Sequence, residues 1–277
     1  MKQDKVRTLT IAGLDVSGGA GLAADLTTFE EYGTYGQAIL TTIVTMDPAT
    51  WGHQVESLPV DLLKKQIDTV LTSDVPVKAM KTGMLGSVEI VKLAREVIDR
   101  AEFENVVIDP VLVCKGTDEV LNPDTADALR ELLMPVATVA TPNLFEAGVM
   151  AQMKTPETVD EMKEAAEKMY ELGTEHVVIK GGRGMSDEYA IDLYYDGKEF
   201  DLMQLPKVED PGLHGAGCSF AAAITAGLAI GMEPHEAARK AKEYVYAAIA
   251  DGLRYNKYVK SAFRPSYRLE KQGGLFD

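Results

Sequence analysis

"VRTLTIAGLDVSGGAGLAAD", residues 6–25, decides how the rest of the chain is read. Its apolar, β-branched run over 6–12 predicts a strand, and the glycines at 13, 18, 19 and 21 predict a tight turn. The small apolar residues that follow predict the opening of a helix. Strand, glycine turn and helix make the first half of a βαβ unit, which calls for parallel strands further on. They follow at 38–46 (AILTTIVTM), 77–80, 106–113 (VVIDPVLV), 136–140 and 176–180 (HVVIK), alternating with helical patterns at 60–72, 87–100, 124–133 and 158–172. Strands this apolar suit a parallel sheet covered on both faces. Thr158 and Gly173 bracket the last of those helices with cap residues. The runs 189–195 (YAIDLYY) and 198–205, joined through Asp196-Gly197, predict an antiparallel hairpin. Helices at 217–230 and 235–253 come next, and the polar tail after Asn256 is expected to be partly mobile. No repeat, low-complexity segment or linker interrupts the pattern. The expectation is one α/β domain over 1–277, with a mostly parallel sheet, helices on both faces and a small antiparallel edge hairpin.

Composition narrows the possible partners. A net charge of −15 disfavours nucleic acid and anionic membranes, which attract basic surfaces. A small anionic ligand is still compatible, because backbone amides and a metal can hold it locally. The two cysteines, Cys114 and Cys218, provide no disulfide framework and suggest a reducing compartment. The N-terminus has no signal-peptide apolar region, and no run reaches the roughly 18 apolar residues of a membrane span. A cytoplasmic protein is expected.

Several stretches hold residue types suited to chemistry, each with a plain structural reading beside it. Gly19-Ala20-Gly21-Leu22-Ala23-Ala24 satisfies a loose dinucleotide fingerprint, and Asp47 ends the next strand. The same glycines can instead bring a planar substrate against the backbone, with Asp25 accepting its hydrogen bonds, or simply make a turn. Asp109, before Pro110 at a strand's carboxyl end, can hold Mg²⁺ or shape a turn. Nearby Cys114 reads as a small buried residue, and Lys115 as either a phosphate partner or a solvated lysine. In "TPNLFEA" (141–147), Asn143 and Glu146 share a helical face and suit either a metal with its phosphates or a capping box. "HVVIKGGRG" (176–184) ends a strand in Lys180-Gly181-Gly182, a turn able to lie beside a nucleotide, whereas His176 reads as structural. Neither a P-loop nor a zinc-ligand spacing occurs.

"HGAGCSFAAAI" (214–224) runs small residues into an apolar helix. The amides of Gly215, Ala216, Gly217 and Cys218 are free at its start, and the helix dipole adds partial positive charge. That is an anion hole for a transferring phosphoryl group, and its field is expected to favour thiolate at Cys218. A small buried cysteine in a helix is the alternative.

In order, "LTIAGLDVSGGAGLAADLTTF", "MKTGML", "VVIDPVLVCKG", "TPNLFEA", "VVIKGG" and "HGAGCSFAAAI" resemble the ribokinase-like family of small-molecule kinases, in its vitamin-kinase branch, from about Leu9 to about Arg254. The resemblance implies a ribokinase-like three-layer sandwich. Sugar kinases of the family carry a catalytic Asp where this chain has Cys218. Cysteine there is similar to the branch holding hydroxymethylpyrimidine (phosphate) kinases and a set of bacterial pyridoxal kinases. The pyrimidine kinases have a glutamine-asparagine pair where this sequence has Met46-Asp47-Pro48 followed by "WGHQV", and methionine cannot pair with an aminopyrimidine edge.

The implied reaction is therefore ATP-dependent phosphorylation of the 5′-hydroxymethyl group of pyridoxal and related B6 vitamers. The resemblance places Gly13, Asp25, Met46, Met84 and Val111 around the vitamin ring, with His53 on a flap above it and Cys218 as base or as a thiol that adds to the aldehyde. It turns Asp109, Lys115, Asn143, Lys180 and Gly182 toward ATP, and Asp109 and Glu146 toward Mg²⁺. A homodimer is also implied. Hydroxymethylpyrimidine kinase is the alternative within the family. An NAD-type dehydrogenase leaves "TPNLFEA" and "HGAGC" without a role, and a non-catalytic vitamin-binding protein has no need of the magnesium and anion-hole set.

Overall fold

The computed structural model describes residues 5–112, 123–182 and 184–272. The β-branched runs form a nine-stranded sheet: β1 (Arg7–Asp15), β2 (Tyr35–Met46), β3 (His53–Ser57), β4 (Val77–Thr82), β5 (Asn105–Ile108), β6 (Val139–Ala140), β7 (His176–Lys180), β8 (Tyr189–Tyr195) and β9 (Phe200–Pro206). Its order is β3-β2-β1-β4-β5-β6-β7-β8-β9. The strands from β2 to β7 run parallel, with Ile11 of β1 opposite both Ile39 and Thr82. β3, β8 and β9 pair antiparallel at the two edges. The sheet is thus mostly parallel and mixed at its edges, as the alternating pattern predicts.

Successive side chains on a strand point to opposite faces, so continuous apolar runs must be covered twice. Met80, Val106, Ile108, Val177 and Ile179 pack under α2 (Val60–Leu71), α3 (Val88–Ala101), α4 (Pro123–Ala128), α5 (Leu144–Met150) and α6 (Val159–Glu171). The intervening Ala79, Val107, Val139 and Val178 meet α7 (Ala216–Ala229) and α8 (Pro234–Ala250) on the other face. α1 (Gly21–Glu31) lies against α7 through Phe29, Ala222 and Ala226. Every residue of α7 from Ser219 to Ala229 is buried. A helix apolar on all sides has no face to give to water, and α7 lies between the sheet, α1 and α8. Helix starts follow local chemistry: Ser87 caps α3, and Thr158 with Glu161 forms a capping box on α6.

The structure departs from the sequence reading in five places. The 106–113 run stops being strand at Ile108, and the 136–140 run narrows to β6. The helix expected over 124–133 is α4 followed by a single wide turn over 129–133 and a tighter one over 134–136, where Pro135 cannot continue the ladder. β3 lies where no strand is expected, because most of its side chains are exposed and it shows no apolar alternation. The tail after Asn256 is not loose over its described part, 257–272. Through β10 (Leu253–Arg254), β11 (Lys260–Ser261) and α9 (Ser266–Gln272) it returns to the body, burying Val259, Ser261, Ala262 and Arg264. Among the described residues, no helix is long and apolar enough to cross a membrane.

Candidate active site

All the parallel strands end on one side of the sheet, and the strand order reverses between β1 and β4. Ligand crevices form at such a reversal, outside the carboxyl ends of the strands. Here that place is a cavity of about 610 Å³. Its walls follow the strand order. Gly13, Val44, His53, Met84 and Val111 line one end, and Ala190, Leu205, Val245, Tyr246 and Ile249 the other. Lys81, Asp109, Asn143, Glu146, Lys180 and Gly182 lie between, facing Gly215, Ala216, Gly217 and Cys218 at the start of α7.

The α7 start depends on one glycine. Gly215 sits at φ +79, and a Cβ there would lie 1.8 Å from the Gly19 carbonyl oxygen. Only a residue without a side chain lets the 18–21 loop close on this turn. Gly217 is an ordinary helical residue whose added Cβ would meet nothing nearer than Lys180 Nζ at 3.5 Å. The Gly21 amide donates to Cys218 Sγ across that contact, at 3.4 Å. Burial pushes the Cys218 thiol up to about 11, the Asp25 carboxylate adds to this, and Lys81 opposes it. Burial thus works against the thiolate expected from the helix field.

Behind the cavity, Lys81 Nζ pairs with Asp25 Oδ2 at 2.8 Å, with both side chains almost wholly buried. Thr10 Oγ1 donates to the same oxygen at 2.7 Å. Burial pushes the Asp25 carboxyl up, against the pull of Lys81. Burial also works against the Lys81 charge, but Asp25 and Asp109 outweigh it and hold the ammonium above its usual range. Asp25 is not among the lining residues; its Oδ2 is held by Lys81, which does line the cavity, while its buried Oδ1 has no hydrogen-bond partner among the described residues. Met46 is also absent from the lining. Its cross-strand neighbour His53 does line the cavity.

At the strand ends, Lys180 Nζ donates to Asp109 Oδ1 at 2.8 Å and Thr141 Oγ1 to the same oxygen at 3.2 Å. Burial works against the Lys180 charge too, yet Asp109 and Glu146 hold it above its usual range. Asn143 and Glu146 form the capping box of α5, with Glu146 N to Asn143 Oδ1 at 2.9 Å and Asn143 N to Glu146 Oε2 at 2.8 Å. The capping box read from the sequence is present, and the capped pair also lines the cavity. Burial, with Asp109 close by, pushes the Glu146 carboxyl up to about 7 despite Lys180. Two carboxyl groups crowded at one wall favour a cation. Mg²⁺ usually takes one or two carboxylates plus substrate phosphates and water, and Asp109 with Glu146 fits that pattern. Among the described residues no group of three or more potential ligands forms a self-contained metal cage.

Other contributors escape a reading of the sequence. Asp192 Oδ1 accepts from the amides of Gly181 (3.0 Å) and Gly182 (3.5 Å), while its Oδ2 is held by Lys242 Nζ at 2.7 Å. His214 Nε2 meets Asp15 Oδ2 at 2.5 Å. Burial pushes the Asp15 carboxyl up, but hydrogen bonds from His214 and Ser17 more than offset it and hold it low. The buried Arg264 donates to the Gly18, Gly19 and Ala262 carbonyls at 2.7, 3.1 and 3.0 Å. Lys81 and Asp192 had a signal, a charge inside an apolar strand; Arg264 had none. Lys115 and Cys114 lie outside the described residues. The dinucleotide reading loses its acidic partner, since Asp47 Oδ1 is occupied by the Ala49 and Thr50 amides and the Thr50 hydroxyl.

The phosphomethylpyrimidine kinase family matches residues 15–262. The chain is similar to pyridoxine kinase of Bacillus subtilis (strain 168), 49% identical over 96% of this chain and 98% of that one. It is 38% identical to the hydroxymethylpyrimidine/phosphomethylpyrimidine kinase of the same organism, over 89% and 90% of the two chains. Among solved structures it resembles the pyridoxal kinase from Staphylococcus aureus in complex with AMP-PCP and pyridoxal, with a TM-score of 0.91, 44% identity and 96% coverage of both chains.

Proposed function

The chain belongs to the phosphomethylpyrimidine kinase family, and on that premise we propose that it transfers the γ-phosphate of ATP to the 5′-hydroxymethyl group of pyridoxal and related B6 vitamers. The observation that carries the reading is the single cavity in which the α7 amides face Asp109, Glu146 and Lys180, with an apolar recess at either end. ATP enters from the side of Ala190, Leu205, Val245 and Tyr246, so that its phosphates reach the centre. The vitamin ring takes the other end, between the Gly13 backbone, Val44, His53, Met84 and Val111. The greater likeness to B6 kinases than to pyrimidine kinases favours pyridoxal over the hydroxymethylpyrimidine.

Phosphoryl transfer runs on positioning and charge stabilisation more than on covalent help. The amides of Gly215 to Cys218 and the Lys180 ammonium receive the charge spread over the transferring oxygens. Gly182, tied to Asp192, keeps the β7 turn open to the nucleotide, and Asn143 fixes Glu146. Asp109 and Glu146 would hold Mg²⁺, which when bound neutralises phosphate charge. Cys218 is placed to take the hydroxymethyl proton. It must first lose its own, and Lys81 is the cation that favours this. A homodimer is part of the proposal, supported by β3, an edge strand of the sheet with mostly exposed side chains. The deciding experiment offers pyridoxal and hydroxymethylpyrimidine separately, each with ATP and Mg²⁺, and follows ADP release. Faster turnover of pyridoxal is expected; a preference for the pyrimidine overturns the assignment.

A further inference from the structure

Trp51 is the chain's single tryptophan, and its backbone is left-handed at φ +61. A bulky residue is strained in that region, so its surroundings must hold it there. It ends the turn between β2 and β3. Asp47 closes that turn, and His53 follows directly on the cavity wall. Two rings from the far end of the chain meet Trp51. Tyr258 stacks on it at 6.2 Å between centroids and 16° between planes, and Tyr255 lies at 5.6 Å, tilted 50°. The Tyr258 hydroxyl also donates to the Ala49 carbonyl within the turn.

The same C-terminal segment grips the opposite side of the cavity. His214 N donates to Lys260 O at 3.2 Å, and Ala262 N to His214 O at 3.0 Å, next to the Gly215 turn that opens α7. Five residues, 258–262, therefore touch both the flap that carries His53 and the turn that builds the anion hole. The rings of His53 and His214 face each other at 6.4 Å and 27°.

We propose that Tyr258 is a positioning residue: it clamps the 47–52 flap through Trp51 and so sets the height of His53 over the vitamin end, in register with the 213–215 turn. This deepens the kinase reading and rests on it. It predicts a division of labour, because the flap belongs to the vitamin end and ATP occupies the other. In Tyr258→Ala, the Michaelis constant for pyridoxal rises about fivefold, the equivalent of an aromatic contact of about 1 kcal/mol. The Michaelis constant for ATP stays within twofold. Tyr258→Phe keeps the ring and recovers most of the loss.

Trp51 supplies a readout that needs no turnover. In the ligand-free protein, acrylamide should quench its emission at least twofold more efficiently in Tyr258→Ala than in the unsubstituted chain or in Tyr258→Phe. Equal quenching in all three overturns the clamp. So does a parallel rise of both Michaelis constants, which marks general damage. Should Tyr258→Ala not fold, Tyr258→Leu takes its place under the same criteria. If the unsubstituted protein phosphorylates no vitamer, the kinase reading fails, while the quenching comparison still decides whether the clamp exists.

Discussion

Gly215→Ala tests how the anion hole is built. At φ +79 the added methyl costs about 1–2 kcal/mol of backbone strain. Its Cβ would also lie 1.8 Å from the Gly19 carbonyl oxygen, where contacts under 3.0 Å do not persist. The 18–21 loop and the α7 turn must therefore separate by about 1.2 Å. That movement withdraws the Gly21 amide from Cys218 Sγ and shifts the first-turn amides away from the carboxylates opposite. A misplacement of about 1 Å at reacting groups can cost 10²-fold. The variant should unfold about 1–2 kcal/mol more easily in urea and lose about 10²-fold in kcat/KM for pyridoxal phosphorylation. Gly217→Ala is the matched control, since its Cβ meets only Lys180 Nζ at 3.5 Å. It should keep the urea midpoint and raise the Michaelis constant for ATP. ADP release and urea melts followed by circular dichroism read both quantities. A Gly215→Ala protein with kcat/KM within threefold of normal and an unchanged midpoint would refute the reasoning.

Two other consequences can be checked directly. In a Cys114→Ser background, iodoacetamide should modify Cys218 slowly at pH 8. A thiol pushed up to about 11 is only about 0.1% ionised there. The rate should climb about tenfold per pH unit through pH 10, and a plateau below pH 9 would contradict the buried, protonated thiol. Arg264→Met leaves the Gly18, Gly19 and Ala262 carbonyls without their buried donor and should cost about 3 kcal/mol in urea unfolding. An unchanged midpoint would show that the tail is not fastened to the glycine loop.

The sheet is largely legible in the sequence because a parallel sheet buries both faces and leaves long apolar runs. β1, β4 and β7 follow from composition alone. β3 does not, since an edge strand with exposed side chains has no hydrophobic pattern to show. The tail is illegible for another reason. Two of its buried positions, Arg264 and Ser266, are polar and bond to partners 246 and 15 residues away. Site residues at strand ends and helix starts are readable because topology places them together; Asp109, Asn143, Lys180 and the Gly215–Cys218 turn share one cavity as the order of motifs implies. Asp25 shows the limit of that approach. Its place after the glycine turn suggests the ligand, and nothing in the sequence shows that its Oδ2 pairs with Lys81, 56 residues on.

The unbroken burial of α7 from Ser219 to Ala229 divides the cavity walls by how freely they can vary. Almost any larger side chain on that helix must push against the sheet, α1 or α8, as at Gly227, where even a methyl would press to 3.2 Å of Ala237. The helix behind the anion hole therefore has little room for a larger side chain. The 47–57 flap, open to solvent along most of its length, has more. In a chain built this way, a change in the outer wall disturbs the packing less than a change in the buried helix whose start faces the phosphate site.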